Sequence, residues 1–322
     1  MLLPRRLILP ATLLAALPGA ARAATSTFEA FLDGLRADAR RAGVSDATLR
    51  QALSNIRPND RVLELDRRQP EFTQTWAQYR DARLSTTRIE AGRRAFAENR
   101  GLLEQVQARF RVSPRAVVAI WGLETNYGGF TGNFNVVESL ATLAWDGRRS
   151  DYFRRELIAA LRILDGGHIP AERMRGSWAG AMGHPQFMPS NFDRLAVDMD
   201  GDGRRDIWDS RADALGSIAN YLARSGWRDE ELWGREVTLP AGFDTDQARR
   251  ENMRPLRDWV RMGVRRADGA PMPAADIEAA IILPDGPGGQ AFAVYHNFNV
   301  IRRYNPSNFY ALAVGMLSDR VA

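Results

Sequence analysis

A helix that begins at Ser113-Pro114 restricts the fold of this chain more than any other feature. Serine is a favoured N-cap and proline suits the first helical position, so the start of the helix is well marked. Val117, Ile120 and Trp121 follow at helical spacing and give the helix one large apolar face. Glu124 occupies the next position of that face. Because a core must cover this face, we expect the carboxyl group of Glu124 to be withdrawn from water.

A buried carboxyl group at Glu124 has two interpretations. Removal from water disfavours the ionised form and raises the pKa, which suits a general acid near neutral pH. The alternative is a structural ion pair with one of the many arginines, which is the more common arrangement on helical geometry alone. The next residues, Thr125-Asn126-Tyr127-Gly128-Gly129, end the helix with glycines and place the polar aromatic ring of Tyr127 beside the acid. We predict that Glu124 lies at the mouth of a cleft.

A second unusual segment runs from Gly176 to Ser190 and is rich in small residues. Small residues permit the close approach of a ligand, and Ser177 and Gln186 add hydrogen-bonding groups. His184 lies in the same segment, where a histidine satisfied by the protein or by water is the simpler interpretation. As a bare pattern, the segment also fits a tight structural crossover.

The spacing of apolar residues predicts a mainly helical chain. Helices are expected near 28–35, from Ser45 or Asp46, at 88–110, 113–124, 151–164 and 210–225, and after Asn305-Pro306-Ser307. A polar stretch at 69–87, which holds Trp76 and Tyr79, interrupts the pattern. The last helix is expected to bury one apolar stripe, formed by Phe309, Leu312, Ala313 and Met316.

From Glu236 onward, the residue pattern changes from helical spacing to short strand-like segments. Residues 237–239, 281–283 and 291–295 are typical of short strands, and the segment at 284–289 is typical of a turn. The predicted fold class is therefore mainly α, with a small β-containing subdomain.

The first 23 residues have the organisation of a secretory signal peptide. Arg5-Arg6 precede an apolar run from Leu7 to Leu17, and Ala21-Arg22-Ala23 is a small-x-small cleavage site. A membrane anchor would need about 20 consecutive apolar residues, and this run is shorter. The paired arginines fit twin-arginine export, although such pairs are common in signal peptides. We predict export, and because the chain has no cysteine, no lipid can be attached to an N-terminal cysteine.

Composition excludes several classes of function. The formal charge of +5 falls to +2 when the three arginines of the first 23 residues are removed, and charges of both signs are interspersed, so nucleic acid is not an expected partner. The absence of cysteine excludes disulfides, thiolate metal sites and thiol nucleophiles. His168, His184 and His296 form no zinc-type pair, and nucleophile-elbow, Walker and dinucleotide-binding motifs are missing.

One acidic loop matches the start of a calcium-binding loop. Asp198, Asp200 and Asp202 stand at positions 1, 3 and 5, and a glycine takes the sharp turn at position 6. Arg204 offers its backbone carbonyl at position 7, whereas Asp209 at position 12 is shorter than the usual glutamate. A solvated turn is the alternative, but three neighbouring carboxylates repel one another unless a cation or arginines compensate. A structural Ca²⁺ is therefore expected here.

Three segments together resemble the membrane-bound lytic murein transglycosylase B family. They are Glu124-Thr125-Asn126-Tyr127-Gly128, the run Gly-Ser-Trp-Ala-Gly-Ala-Met-Gly-x-x-Gln-Phe-Met-Pro-Ser that begins at Gly176, and Arg303-Tyr304-Asn305. The similarity extends from about Phe28 to Leu317. The resemblance implies a lysozyme-like helical core that cleaves the β-1,4 bond between N-acetylmuramic acid and N-acetylglucosamine of peptidoglycan. The product would carry a 1,6-anhydromuramoyl end.

The resemblance also implies roles for individual residues. Glu124 matches the catalytic acid, which first protonates the leaving oxygen and then, as a base, assists attack by the C6 hydroxyl of the sugar. The residues expected to line the sugar cleft are Tyr79, Tyr127, Ser177, Gln186, Tyr221, Tyr304 and Asn305. Tyr79 matches only by its distance before Glu124, and the tyrosines have an alternative as core residues. For the calcium loop, the best match to the family's closing acid is Asp213.

The residue patterns and the resemblance together predict the organisation of the chain and its surroundings. We expect a signal peptide (1–23), a helical region (24–97), a lysozyme-like core (98–235) with the calcium loop (198–213), a β-containing subdomain (236–295) and a closing helical segment (296–322). The exported protein is expected to be a monomer, free in the periplasm, whose partner is the glycan strand.

Three other functions remain open at this point. A hydrolytic muramidase would share Glu124 and add a second acid, for which Glu138 and Asp146 are the nearest in sequence. A protein that binds peptidoglycan without cutting it would tolerate the loss of Glu124. A calcium-dependent interaction protein would need the acidic loop but not the glutamate.

Overall fold

The computed structural model describes residues 27–68, 74–273 and 276–322. The signal peptide predicted for residues 1–23 lies outside this range. The described chain is mainly helical and contains a small antiparallel sheet, so the predicted combination of helices and a small β-containing part is confirmed. Within the described residues, no helix combines the length and the apolar character needed to cross a membrane.

Within the described residues, the first seven α-helices carry the chain from the N-terminal region to Glu124. They are α1 (Phe28–Arg41), α2 (Asp46–Leu53), α3 (Asp60–Arg67), α4 (Trp76–Arg83), α5 (Thr86–Glu98), α6 (Arg100–Phe110) and α7 (Pro114–Thr125). The remaining seven are α8 (Val136–Asp146), α9 (Ser150–Asp165), α10 (Pro189–Leu195), α11 (Arg211–Arg224), α12 (Leu256–Arg261), α13 (His296–Tyr304) and α14 (Asn308–Ser318).

In the part of the chain that the structure describes, the strands form two antiparallel sheets. The small one pairs β1 (Phe134–Asn135) with β2 (Arg175–Gly176) and joins the start of α8 to the glycine-rich segment. The larger one has the order β4-β6-β7-β3-β5, with β3 (Gly234–Thr238), β4 (Arg254–Pro255), β5 (Arg265–Arg266), β6 (Glu278–Ile282) and β7 (Ala291–Val294). The three strands predicted from the sequence are β3, β6 and β7.

The prediction of one long helix at 88–110 is wrong, because the helix breaks at Asn99. The side-chain amide of Asn99 donates a hydrogen bond to the carbonyl of Ala95, 2.7 Å away, which the Asn99 backbone N–H also contacts. A side chain that competes in this way for helical carbonyls is a known cause of helix termination. The chain therefore continues as two helices, α5 and α6, rather than one.

The sequence predicts an interruption of the helical pattern at 69–87, yet this stretch contains α4. A capping box starts this helix: the Thr75 hydroxyl accepts from the Gln78 backbone, and the Gln78 side chain accepts from the Thr75 backbone. Trp76 is fully buried and anchors the helix in the core. The capping signal was present in the sequence, but the polar composition concealed it.

Helix α14 is buried on every side rather than along the single stripe predicted for it. All residues from Tyr310 to Ser318 are buried, as expected for a helix that is apolar all round. It packs against α7, α4 and α13 within the largest core cluster, which also includes one face of the sheet. A second cluster joins α1, α2 and α3 to α8, α9 and α10, and Tyr304 touches both clusters.

Candidate active site

Glu124 lies in the last turn of α7, as the sequence predicts, and the carboxyl group is enclosed by the protein although the residue keeps partial contact with solvent. Burial raises the pKa of Glu124 from 4.5 to about 7, against smaller lowering effects from a Tyr310 hydrogen bond and the charge of Arg83. A carboxyl group with this pKa can donate a proton near neutral pH and can accept it back.

The hydroxyl of Tyr310 donates a hydrogen bond to Glu124 Oε1 over 2.6 Å. Tyr310 belongs to α14, which is 186 positions further along the chain, and was not among the residues predicted from the sequence. It lies outside the apolar stripe that the sequence predicts to face the core, so the helical pattern does not predict that Tyr310 is buried. The negative charge of an ionised Glu124 adds to burial in raising the pKa of the Tyr310 hydroxyl, which keeps this hydroxyl a donor.

Two more tyrosines, Tyr79 and Tyr304, lie within electrostatic range of Glu124. Burial is the main reason that the pKa of each hydroxyl is raised, and the Glu124 charge contributes to both. The guanidinium carbon of Arg83 lies 5.3 Å from the centre of the Tyr79 ring. The structure thus brings Tyr79 to the acid, although its sequence match was the weakest.

Tyr304 and Tyr221 form a pair whose ring centres are 4.5 Å apart. The Tyr304 hydroxyl donates to the carbonyl of Pro185 over 2.6 Å, and the Tyr221 hydroxyl donates to the carbonyl of Arg303. Each hydroxyl is therefore held by the backbone while the rings pack on each other and on Phe187. The pair fastens α11 and α13 to the glycine-rich segment.

Ser177, Gln186 and Asn305 are held by local hydrogen bonds. The Gln186 amide Nε2 donates to the carbonyls of Thr131 (3.0 Å) and Gly183 (2.9 Å). The Ser177 hydroxyl accepts from the Ala181 backbone, and Asn305 Oδ1 accepts from the Ser307 backbone. Gln186 adopts the left-handed region with φ of 51°, which aims its side chain towards the loop that follows Glu124.

Tyr127 contacts α5 and α7. Its hydroxyl donates to the carbonyl of Arg88 over 3.0 Å, and its ring packs edge-on against Trp121. A Cβ atom at Gly122 would stand 2.5 Å from the Tyr127 ring, so only glycine permits this packing. Tyr127 joins α7 to α5, and its contacts are those of a structural residue.

His184 contacts α7 rather than standing free in its loop. Its Nδ1 accepts a hydrogen bond from the Trp121 indole over 2.8 Å, and burial lowers the pKa of the imidazole. The ring is therefore neutral near pH 7, and a satisfied histidine, the simpler interpretation of the sequence, is what the structure contains. The Thr125 hydroxyl also lies 3.3 Å from the His184 carbonyl, so the glycine-rich segment is fixed to the end of α7 at two points.

The two acids considered as partners for Glu124 are engaged elsewhere. Glu138 Oε1 accepts from the Asn59 amide over 2.8 Å, and Asp146 Oδ1 accepts from Arg67 over 3.1 Å. Among the described residues, burial, Tyr310 and Arg83 are the influences on the Glu124 pKa, and no second carboxylate contributes. The site therefore has one carboxyl group surrounded by tyrosine hydroxyls and an arginine.

The acidic loop brings three carboxylates together as the sequence predicts. One oxygen each from Asp198, Asp200 and Asp202 lies within 4.8 Å of the others. Both oxygens of Asp198 accept backbone N–H groups of the loop, and Asp202 forms an ion pair of 2.8 Å with Arg204. An all-oxygen set with this spacing fits a Ca²⁺ ion, and Arg204 supplies part of the compensating charge.

The two acids considered for closing this loop differ in their surroundings. Asp213 is fully buried, and its carboxylate accepts the backbone N–H groups of Met199 (2.7 Å) and Asp206 (2.6 Å). It thereby ties the beginning of the loop to its end. Asp209 is half exposed and forms an ion pair with Arg173. Asp206, which also accepts two backbone N–H groups, was not identified from the sequence.

A helical core that presents one protonatable glutamate beside tyrosines defines an enzyme of the lysozyme-like class. The family model described as transglycosylase SLT domain matches residues 27–319. The chain belongs to this family of peptidoglycan lytic transglycosylases, so the resemblance and the predicted lysozyme-like fold are confirmed.

Named relatives agree with this assignment. Membrane-bound lytic murein transglycosylase B of Escherichia coli is 30% identical over 295 residues, which are 87% of this chain and 79% of the relative. SltB3 from Pseudomonas aeruginosa, whose crystal structure was determined in complex with NAG-NAM-pentapeptide, is 47% identical to this chain in sequence. The two structures superimpose with a TM-score of 0.90, and the match covers 92% of this chain and 80% of SltB3. The Escherichia coli lytic transglycosylase Slt35 in complex with calcium is 28% identical, with a TM-score of 0.76 over 92% and 93%.

Proposed function

We propose that this chain cleaves the β-1,4 bond between N-acetylmuramic acid and N-acetylglucosamine of peptidoglycan and leaves a 1,6-anhydromuramoyl end. Glu124 is the group that moves the proton. In the first half of the reaction, protonated Glu124 gives its proton to the glycosidic oxygen, and the bond from C1 to that oxygen breaks. In the second half, the Glu124 carboxylate takes the proton of the C6 hydroxyl while the C6 oxygen bonds to C1. Glu124 ends protonated, and no water is consumed.

One observation carries this proposal: Glu124 is a single enclosed carboxyl group with a pKa of about 7. Glycosidases that use water or an enzyme nucleophile need two carboxylates at a set separation. Glu138 and Asp146 are bonded to the N-terminal helices and do not supply a second one. A group with a pKa near the working pH serves equally as acid and as base, which the two halves of an intramolecular reaction require.

The products released from purified peptidoglycan test this proposal by mass spectrometry. We expect muropeptides that are lighter by one water than the ordinary reducing species. Reducing-end products of full mass would instead establish hydrolysis. The absence of any product, with binding retained, would favour a protein that holds peptidoglycan without cutting it.

The residues around Glu124 are proposed to hold the glycan. Tyrosine rings pack against the apolar faces of sugars, and amide groups bind their acetamido and hydroxyl groups. We assign these contacts to Tyr79, Ser177, Gln186, Tyr304 and Asn305. Tyr221 would support Tyr304 through ring packing, and Tyr127, which faces α5, would position the helix end rather than touch sugar.

The pH dependence of the reaction provides a test of the Tyr310 contact. Because Glu124 must begin protonated, we expect kcat/KM to fall as pH rises through about 7. The Tyr310 bond lowers the pKa of Glu124, so Tyr310→Phe should raise that pKa and move the fall in rate upward by about one pH unit. Rates measured from pH 5 to 9 would show this displacement.

Tyr127→Phe is the matched control, since it removes a hydroxyl that is bonded to a carbonyl of α5 rather than to the acid. Its profile should follow that of the unmodified protein. If Tyr310→Phe gives the same profile as this control, the hydrogen bond does not set the proton affinity of Glu124.

We propose that the loop from Asp198 holds a structural Ca²⁺. The ligands would be the carboxylates of Asp198, Asp200 and Asp202, the carbonyl of Arg204 and, at the closing position, Asp213. Asp213 is preferred to Asp209 because Asp213 already joins both ends of the loop, whereas Asp209 is paired with Arg173. Bound calcium would neutralise the repulsion among the aspartates and hold the segment that leads into α11.

Export to the periplasm is part of the same proposal, and it rests on the signal-peptide pattern of residues 1–23 and on the location of peptidoglycan. The absence of cysteine argues against lipid attachment. N-terminal sequencing of the protein from a periplasmic extract should begin at Ala24. Retention of the first 23 residues in a membrane fraction would contradict it.

A further inference from the structure

Phe130 is the most exposed large apolar side chain of the described residues, with 65% of its surface open to solvent. It lies six positions after Glu124, at the end of the turn that closes α7. An isolated exposed aromatic ring is ordinary on a protein surface. Its place in the turn that ends the helix carrying Glu124, and the fixed backbone around it, distinguish this ring from the others.

The backbone around Phe130 is fixed on both sides. Its N–H donates to the carbonyl of buried Thr125 over 3.0 Å, and the carbonyl of the next residue, Thr131, accepts the Gln186 amide. A Cβ atom at Gly132 would lie 2.1 Å from the Gly176 carbonyl, so the two segments touch through their backbones. The exposure of Phe130 therefore does not arise from a loose loop.

The turn before Phe130 has an uncommon backbone conformation. Asn126 and Tyr127 both adopt the left-handed region, with φ of 51° and 60°, which is uncommon for residues other than glycine. The Tyr127 hydroxyl and the Thr125 hydroxyl hold this conformation through bonds to the Arg88 carbonyl and the Gly128 N–H. Strain that the surroundings maintain is concentrated at functional sites.

We propose that Phe130 is a substrate-binding residue whose ring packs against a sugar of the glycan strand next to the cleaved bond. This inference rests on the proposed function and adds a contact to it. The polar groups needed on the same side are Ser177 and Gln186, which are joined to the Phe130 loop by the contacts of Gly132 and Thr131. A sugar ring has apolar C–H faces and polar edges, and an aromatic ring beside amide and hydroxyl groups matches both.

The immediate neighbours of Phe130 favour a sugar over a protein partner. Gly129, Thr131 and Gly132 flank it, and the other exposed large apolar side chains of the described residues belong to distant parts of the sequence, at Tyr152, Leu232 and Met262. Protein docking surfaces need a larger continuous contact area than one side chain provides. One aromatic ring has enough area to cover a single hexose, so a sugar suits this position better than a protein does.

The test compares Phe130→Ala, Phe130→Leu and Phe130→Trp on glycan strands freed of stem peptides and on intact peptidoglycan. Phe130→Ala should raise KM about tenfold on both substrates with kcat changed less than about twofold, because the contact is the same in the ground state and the transition state. Phe130→Trp should keep KM close to that of the unmodified protein. Phe130→Leu should resemble Phe130→Ala, since it keeps apolar surface but has no aromatic face.

The same substitutions in the Glu124→Gln background separate this inference from the proposed function. Dissociation constants for peptide-free strands, measured without turnover, should rise about tenfold with Phe130→Ala even if the products prove to be hydrolytic. Tyr152→Ala, at an exposed position of α9, is the control and should leave KM unchanged. The melting temperature should change little in the Phe130 variants because most of that ring is exposed.

Two results would overturn the inference. Unchanged KM and dissociation constant in Phe130→Ala would mean that the ring makes no contact with substrate. A loss confined to peptide-bearing substrate would mean that the ring meets the stem peptide rather than a sugar.

Discussion

Glu124→Gln is expected to reduce turnover of peptidoglycan by at least about a thousandfold while the protein stays folded and continues to bind glycan strands. General acid–base groups contribute about a hundred to ten thousandfold, and here one group serves both halves of the reaction. Glutamine has the shape of glutamate and can still accept the Tyr310 hydrogen bond. Release of anhydro products, quantified by mass spectrometry, is the measurement. Activity within tenfold of the unmodified protein would rule out the proposed role.

The same substitution should stabilise the protein in alkaline solution. A folded-state pKa of about 7, above the 4.5 of a free glutamate, means that the folded protein holds this proton more tightly. Its stability contribution is complete below about pH 4.5 and is lost as pH rises through 7. Because a glutamine side chain cannot ionise, we expect the free energy of unfolding of the variant to exceed that of the unmodified protein by about 3 kcal/mol at pH 8. Equal unfolding curves at pH 8 would show that the carboxyl group is better solvated than its surroundings indicate.

Calcium is expected to raise the melting temperature by roughly 5 to 10 °C when its concentration exceeds the dissociation constant several hundredfold. Binding to the folded state alone contributes about 3 to 4 kcal/mol under these conditions. Asp200→Ala should abolish the increase, because Asp200 provides one of the three clustered carboxylates. Calorimetry with calcium and with chelator gives the comparison. Superimposed melting curves for the unmodified protein would mean that the loop binds no calcium.

Two matched pairs sharpen this experiment. Asp202 and Asp268 each form an ion pair with the arginine two positions away, but only Asp202 belongs to the carboxylate cluster. Asp202→Asn should therefore reduce the response to calcium, and Asp268→Asn should not. In the same way, Asp213→Asn should reduce the response whereas Asp209→Asn should preserve it. If Asp209→Asn reduces the response to calcium and Asp213→Asn preserves it, then Asp209 is the acid that closes the calcium loop.

Two cavities of the molecule do not coincide with the proposed site. One of about 380 Å³ lies between α14 and β3, and another of about 240 Å³ lies beside α2 and the end of α9. Neither is lined by Glu124. A glycan strand is a polymer that must extend beyond the cleaved bond, so a closed pocket around the acid would not serve it.

The sequence by itself determined the features that depend on neighbours along the chain. The start of α7 at Pro114, the shared face that carries Glu124 and the spacing of Asp198, Asp200 and Asp202 follow from helix and loop geometry. The helix starts predicted at Ser45 and after Ser307 are confirmed for the same reason, since each hydroxyl accepts a backbone N–H three positions later. Such contacts require no knowledge of the rest of the fold.

Tertiary structure alone decided which distant groups meet. Tyr310 reaches Glu124 only because α14 is buried on all sides against α7, and no periodicity in the sequence records a contact across 186 positions. The hydrogen bond between Asn59 and Glu138 could not be predicted from the sequence either, because it depends on how α3 packs on α8. Local patterns specify which face of an element is apolar, but the proton affinity of a buried group depends on what the other elements place around it.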